Sequence, residues 1–104
     1  MIIKVGSERF KVKKCKTFIS QILGLMFSGK KNLLFEFKNE RVINLHMFFV
    51  FFPIDIIFVN KELQVIKKVR AYPFQPFVRG VKSKYILELV NKNKINKEDK
   101  LKFS

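Results

Sequence analysis

The run from Leu45 to Val59, LHMFFVFFPIDIIFV, constrains this chain most, because it sets one acidic side chain, Asp55, among Ile54, Ile56, Ile57 and Phe58. An isolated buried charge costs several kcal/mol or more. Asp55 must therefore be hydrogen-bonded, paired, neutralised or exposed at a strand end. The same run carries His46, Met47 and Pro53. Whether Asp55 serves structure or chemistry is left open by the residues around it.

A length of 104 residues fits one domain, spanning 1–104, with a core large enough to fold without staples. Hydrophobic residues make up 48% and include thirteen Phe, which places the chain among globular proteins rather than disordered ones. Its one cysteine, Cys15, cannot form an intrachain disulfide and reads as a small packed residue in a reducing compartment. No Cys or His cluster has zinc-ligand spacing, so neither a metal nor a cofactor is expected. The opening MIIKVGSERF lacks the apolar stretch and cleavage site of a signal peptide, which points to the cytoplasm. The run from Val42 to Val59 approaches the length of a membrane helix, but Asn44, His46, Pro53 and Asp55 interrupt it. A central Asp alone costs about 3 kcal/mol on insertion, so no transmembrane segment is expected.

Twenty-two Lys and Arg against eight Asp and Glu give a formal charge of +14. Such a charge attracts polyanions through counterion release, so weak nonspecific nucleic-acid binding is one functional reading. The cations are scattered along the whole chain, and only Arg9, Arg41, Arg70 and Arg79 are arginine. Lysines in the company of many Asn, Ile and Phe also fit a coding bias toward A and T. The denser basic pieces are Arg9 to Lys16, Lys67 to Arg70 and Lys92 to Lys102. None has a helix-turn-helix, zinc-finger or RNP signature.

Ile2 to Val5 and Arg9 to Cys15 are β-prone runs around Gly6-Ser7-Glu8, and the alternation of Phe10 and Val12 with cations predicts a hairpin with one wet face. Thr17 is placed to cap a short helix ending at Gly24, with Phe18, Ile19, Ile22 and Leu23 on one side. Asn32 to Phe37, Val42 to Phe49, Ile54 to Asn60 and Leu63 to Ala71 read as further strands. Between them stand Lys38-Asn39-Glu40-Arg41, the Pro53 region and Asn60-Lys61-Glu62. Tyr72 to Gly80, YPFQPFVRG, has two prolines and a glycine and reads as an irregular surface loop with exposed aromatics. Tyr85 to Val90 alternates, with Tyr85, Leu87 and Leu89 on one face and Ile86, Glu88 and Val90 on the other. A last short strand runs from Lys100 to Ser104. The fold class expected is α+β: a single domain with a mainly antiparallel, curved or partly barrel-like sheet of about six to eight strands and one short helix.

Taken in order, several pieces resemble an uncharacterised prokaryotic family, domain of unknown function 192, also called uncharacterised protein family 0127. They are Thr17 before the helix, GLMF at Gly24 to Phe27, LLFEF at Leu33 to Phe37, HMFFVFFPIDIIFV at His46 to Val59 and YILEL at Tyr85 to Leu89. The chain resembles a small archaeal-type member. The family pattern commonly has Arg where this chain has Ser28, and a Gly-Asp turn where it has Glu98-Asp99. The resemblance implies a small α+β domain with a barrel-like sheet and supplies no activity. It marks Gly24, Met26, Met47, Pro53, Asp55 and Glu88 as motif positions. Their ordinary uses are a helix-ending backbone at Gly24, core filling at Met26 and Met47, and a fixed bend at Pro53.

His46, Asp55 and Glu88 are the only set in the sequence suited to acid–base or metal chemistry, since a histidine oriented by a carboxylate is the usual arrangement for proton transfer near neutral pH. One His with two carboxylates falls short of a convincing metal site. The chain has no nucleophile elbow, phosphate-binding glycine loop or HExxH helix. The leading expectation is a small non-enzymatic domain that binds a ligand or a protein partner through Tyr72, Phe74, Phe77 and Arg79. The alternatives are nonspecific polyanion binding and a hydrolase or metal site using His46 and Asp55.

Overall fold

Gly6 closes the first hairpin. In this computed structural model, which describes residues 1–15, 32–42, 44, 52–74, 77–90 and 92–103, β1 (Ile2–Val5) pairs with β2 (Glu8–Lys11) in the register Val5 to Glu8. That register leaves a two-residue connection. Gly6 has φ +60, while Ser7 does not share a positive φ, the pattern of a type II′ turn with glycine in its first central position. A Cβ on Gly6 would also stand 2.8 Å from Asp99 Oδ2, so position and packing both require glycine.

The second β-prone run does not stay in one piece. It breaks at Val12 into β2 and β3 (Lys13–Cys15), which belong to different sheets. Val12 is buried, its N–H donates to Met1 O (2.8 Å), and the next amide, Lys13 N–H, donates to Asn32 O (2.9 Å). The chain thus steps from one layer to the other at a buried apolar residue while keeping its backbone bonds. β3 then runs parallel to β4 (Leu33–Val42).

The stretch Lys38 to Arg41, which reads as a loop, lies inside β4. The strand continues because β7 (Lys82–Leu89) keeps pairing with it, through Arg41 to Ser83 and Val42 to Lys82, after a register shift between Glu36 and Arg41. Lys84 Nζ donates to the carbonyls of Phe37 and Lys38 (2.8 Å to the latter) and so supplies partners where the ladder is irregular.

β5 (Ile54–Val59) is paired on both sides, to β6 (Val65–Ala71) and to β7, and all of its residues are buried. A strand covered on both faces reads as a continuous apolar run, which is how Ile54 to Val59 is written. β8 (Leu101–Phe103) joins β1, so the sheets are ordered β2-β1-β8 and β3-β4-β7-β5-β6. Ile3, Val5 and Leu101 of the smaller sheet, together with Val12, pack onto Leu34, Ile57, Val59, Leu87 and Leu89 of the larger one. The opposite face of the larger sheet carries Leu33, Phe35, Ile54, Ile56, Phe58, Ile86 and the buried Val78.

These findings correct the expected fold class. Among the described residues there are eight strands and no helix, and neither sheet closes on itself, so the described architecture is all-β with two sheets rather than α+β with a partly barrel-like sheet. The helix expected from Thr17 to Gly24 lies outside the described residues. So does the strand expected from Val42 to Phe49, except for Val42, which ends β4, and Asn44.

One connection bears directly on function. Because β5 is antiparallel to both β6 and β7, those two strands run parallel, and residues 72–81 must travel the length of the sheet to join them. Val78 belongs to the cluster on the face away from the smaller sheet, which shows which face this connection crosses.

Candidate functional site

Asp55 leaves β5 on the same face as Ile57, toward the smaller sheet, and only 4% of its surface is exposed. Its charge is matched on both oxygens. Arg70 Nη1, directly across in the β5–β6 register, reaches Oδ1 at 3.1 Å, and Asn93 Nδ2 donates to Oδ2 at 2.7 Å. Asn93 also takes Ile95 N–H on its own Oδ1 (3.1 Å), while Lys68 Nζ donates to Asn93 O (3.4 Å) and Ile95 O (3.1 Å). Asp55, Arg70 and Lys68 together pin the segment after β7 to the sheet and let Ile95 enter the core.

Glu88 is placed differently. It sits on β7 between Leu33 of β4 and Ile56 of β5, on the face that carries Ile86, with 1% of its surface exposed. Its Oε2 is buried and has no hydrogen-bond partner among the described residues. Burial alone pushes its carboxyl up to about 8, so it holds its proton at neutral pH. Asp55 and Glu88 thus project from opposite faces of one sheet and do not converge on a common point.

His46, the third member of the acid–base set, lies outside the described residues, as do Gly24, Met26 and Met47. Pro53 is half-buried immediately before β5, a place where its missing N–H interrupts no ladder bond. Among the described residues no three His, Cys, Asp or Glu side chains are grouped as a metal ion would require. A shallow depression lined by Lys14, Glu36, Phe37 and Lys38 holds the partly exposed Lys14–Glu36 ion pair (2.9 Å).

The crossing connection presents the remaining candidates. Tyr72, Phe74 and Phe77 are 60%, 54% and 55% exposed, and Arg79 is exposed beside them. Between these residues Val78 and Gly80 are buried, and Gly80 N–H donates to Asn44 Oδ1 (2.9 Å). Lys67 Nζ donates to Arg79 O (3.0 Å), which ties the connection to β6. Phe74 has φ +62, a left-handed backbone that a bulky side chain rarely adopts. The segment is therefore anchored at Val78 and Gly80 while Tyr72, Phe74 and Phe77 stay more than half exposed.

Sequence reasoning missed Arg70 and Asn93 as the partners of Asp55. Arg70 stood out only as part of a basic piece, and Asn93 sits in an Asn- and Lys-rich run with no distinguishing pattern. Their positions follow from strand register, which no local motif records.

Two packed β-sheets among the described residues, with a buried Asp55 paired to a partly exposed Arg70 on one face and a buried carboxyl on the other, are the features that define the class of protein. The chain belongs to the domain of unknown function 192 family, described as "Uncharacterized ACR", whose model matches residues 1–103. It is similar to a UPF0127 protein from Thermococcus sibiricus, 35% identical over 89 residues, which cover 82% of this chain and 56% of that relative. The match therefore spans little more than half of the relative's length. Its fold is similar to a crystal structure of a protein of unknown function from Novosphingobium aromaticivorans (TM-score 0.88, 20% identity, 98% of this chain and 84% of that one). It also resembles that of a Sinorhizobium meliloti protein solved as a candidate transcription regulator (TM-score 0.80, 18% identity, 97% of this chain and 91% of that one). At these identities the likeness is one of fold. No helix among the described residues is long and apolar enough to cross a membrane.

Proposed function

We propose that this chain is a small, non-enzymatic cytoplasmic domain that binds a ligand or protein partner through the connection between β6 and β7, with Tyr72, Phe74, Phe77 and Arg79 as its contact residues. The observation that carries this reading is the exposure of three large aromatic side chains on a segment whose backbone is held down by Val78 and Gly80. Aromatic residues and Arg are the types enriched at binding hot spots, and a pre-anchored segment loses little entropy when a partner orders its rings. A proton-transfer reading has less support, because Asp55 is occupied by Arg70 and Asn93 and Glu88 points away from it.

The test uses the chain as an affinity bait in lysate of its source cells, beside the double variant Phe74→Ser/Phe77→Ser. A partner captured by the parent should be lost by the variant while the two proteins unfold alike. Equal capture by both would overturn this reading.

A further inference from the structure

The larger sheet ends at β6, which pairs with β5 on one side only. In such an edge strand every second residue turns its N–H and C=O away from the sheet. At the start of β6 these outward groups are used: Val65 N–H donates to Asp99 O (2.8 Å) and Glu98 N–H donates to Val65 O (2.7 Å), and just before the strand Leu101 N–H donates to Leu63 O (2.7 Å). From Lys67 to Ala71 no further segment pairs with the strand among the described residues. Among the described residues the edge is filled at one end and open at the other.

The open part is cationic, and among the described residues the charges of its two lysines are not cancelled. Lys67 donates to Arg79 O, and Lys68 to Asn93 O and Ile95 O, so both ammonium groups are positioned by neutral carbonyls and neither is paired with a carboxylate among the described residues. Arg70 differs, being paired with Asp55. Exposed Arg79 adds to the field beside Lys67, and the strand leads directly into Tyr72 and Phe74.

We propose that the outer edge of β6, from Lys67 to Ala71, accepts an extended acidic segment of a partner protein as an additional strand. The segment's backbone fills the outward N–H and C=O groups, its carboxylates meet Lys67 and Arg79 on the face away from the smaller sheet, and its apolar residues, on the other face of the added strand, reach toward Tyr72. This inference rests on the reading of residues 72–79 as the contact surface and names the chemistry of what docks beside it. A second copy of this chain fits poorly, because edge-to-edge pairing would set lysines against lysines, and like charges directly opposite are destabilising. A nucleic acid would use the cations and leave the row of backbone groups unfilled.

The probe is a fluorescein-labelled heptapeptide of alternating Glu and Val, compared with the same peptide methylated on all its backbone amides and with labelled oligothymidylate. The parent protein should bind the unmethylated peptide, and binding should slow hydrogen exchange at the amides of residues 67–71. Lys67→Glu, checked for folding by circular dichroism, should weaken that binding several-fold. Equal binding of the methylated peptide would show attraction by charge alone and overturn strand addition. Binding of oligothymidylate without the peptide would overturn it in favour of nucleic acid. If the peptide fails while Phe74→Ser/Phe77→Ser still loses its captured partner, strand addition falls and the contact surface stands; failure of both experiments removes both readings.

Discussion

Asp55 and Glu88 lie on neighbouring strands of the larger sheet, one register step apart, and leave it on opposite faces. Asp55 has a guanidinium on one oxygen and an amide on the other, so its charge is spent on fixing the segment that carries Asn93 and Ile95. Glu88 has apolar cross-strand neighbours, Leu33 and Ile56, and an oxygen with no hydrogen-bond partner among the described residues. The contrast shows that burial alone does not decide what a carboxyl does in a sheet. With partners it is a charged clamp, and without them it is a neutral acid that keeps its proton.

The largest expected effect comes from removing the buried acid of Glu88. Below pH 4.5 Glu88 is protonated in both folded and unfolded chains. Between 4.5 and about 8 the unfolded chain ionises while the folded one holds its proton, so stability falls as pH rises and levels off above about 8. Over that whole window the loss amounts to roughly 5 kcal/mol. Glu88→Met removes the titration and conserves most of the volume. Its stability advantage over the parent should grow by that amount between about pH 4.5 and 8.5, as urea unfolding at a series of pH values would read. A difference that stays constant across the series would mean that Glu88 finds a partner when it ionises, and the contrast with Asp55 would collapse.

The clamp should show a smaller and opposite effect. Asp55→Ala leaves Arg70 and Asn93 without their acceptor, and Arg70 is exposed enough to recover some hydration, so the loss should be roughly 2 kcal/mol. Asp55→Asn keeps an acceptor oxygen and should cost less. Thermal unfolding of both variants measures this. If Asp55→Ala unfolds like the parent, the network around it is not structural, and a functional role for the carboxylate takes its place.

Part of this contrast was legible in the sequence. Alternation along Tyr85 to Val90 separated Glu88 from Leu87 and Leu89, and that separation is seen in the two clusters on either side of the sheet. The isolation of Asp55 in an apolar run announced that it needed partners. Which partners they were could not be read, because Arg70 and Asn93 stand 15 and 38 residues away and are delivered by register and by the chain's path after β7. Local polarity misled in two places. Lys38 to Arg41 has turn-like composition but stays in β4 because β7 pairs on past the irregular stretch and Lys84 serves its carbonyls. Arg9 to Cys15 keeps one alternation pattern across Val12, while long-range bonds to Met1 and from Lys13 to Asn32 divide it between two sheets. The exposure of Tyr72, Phe74 and Phe77 agrees with what two prolines and a glycine in a short segment suggest, although the path of that segment across a sheet face followed only from the parallel relation of β6 and β7.

The smallest expected effect is the coupling between the two carboxylates. If Asp55 and Glu88 formed a catalytic pair, each would alter the other's proton affinity, and changes at the two positions would not add. The structure instead separates them by the sheet, and the raised proton affinity of Glu88 arises from burial with no charged neighbour contributing. In a double-mutant cycle of Asp55→Asn and Glu88→Met at neutral pH, the summed single effects should match the double variant within about 0.5 kcal/mol. Independence is expected even though the strands are adjacent, because neither side chain shares a hydrogen-bond partner with the other. A coupling well above that value, especially one that grows as pH passes 8 and Glu88 ionises, would show that the two acids sense each other through the sheet and would restore an acid–base reading of the site.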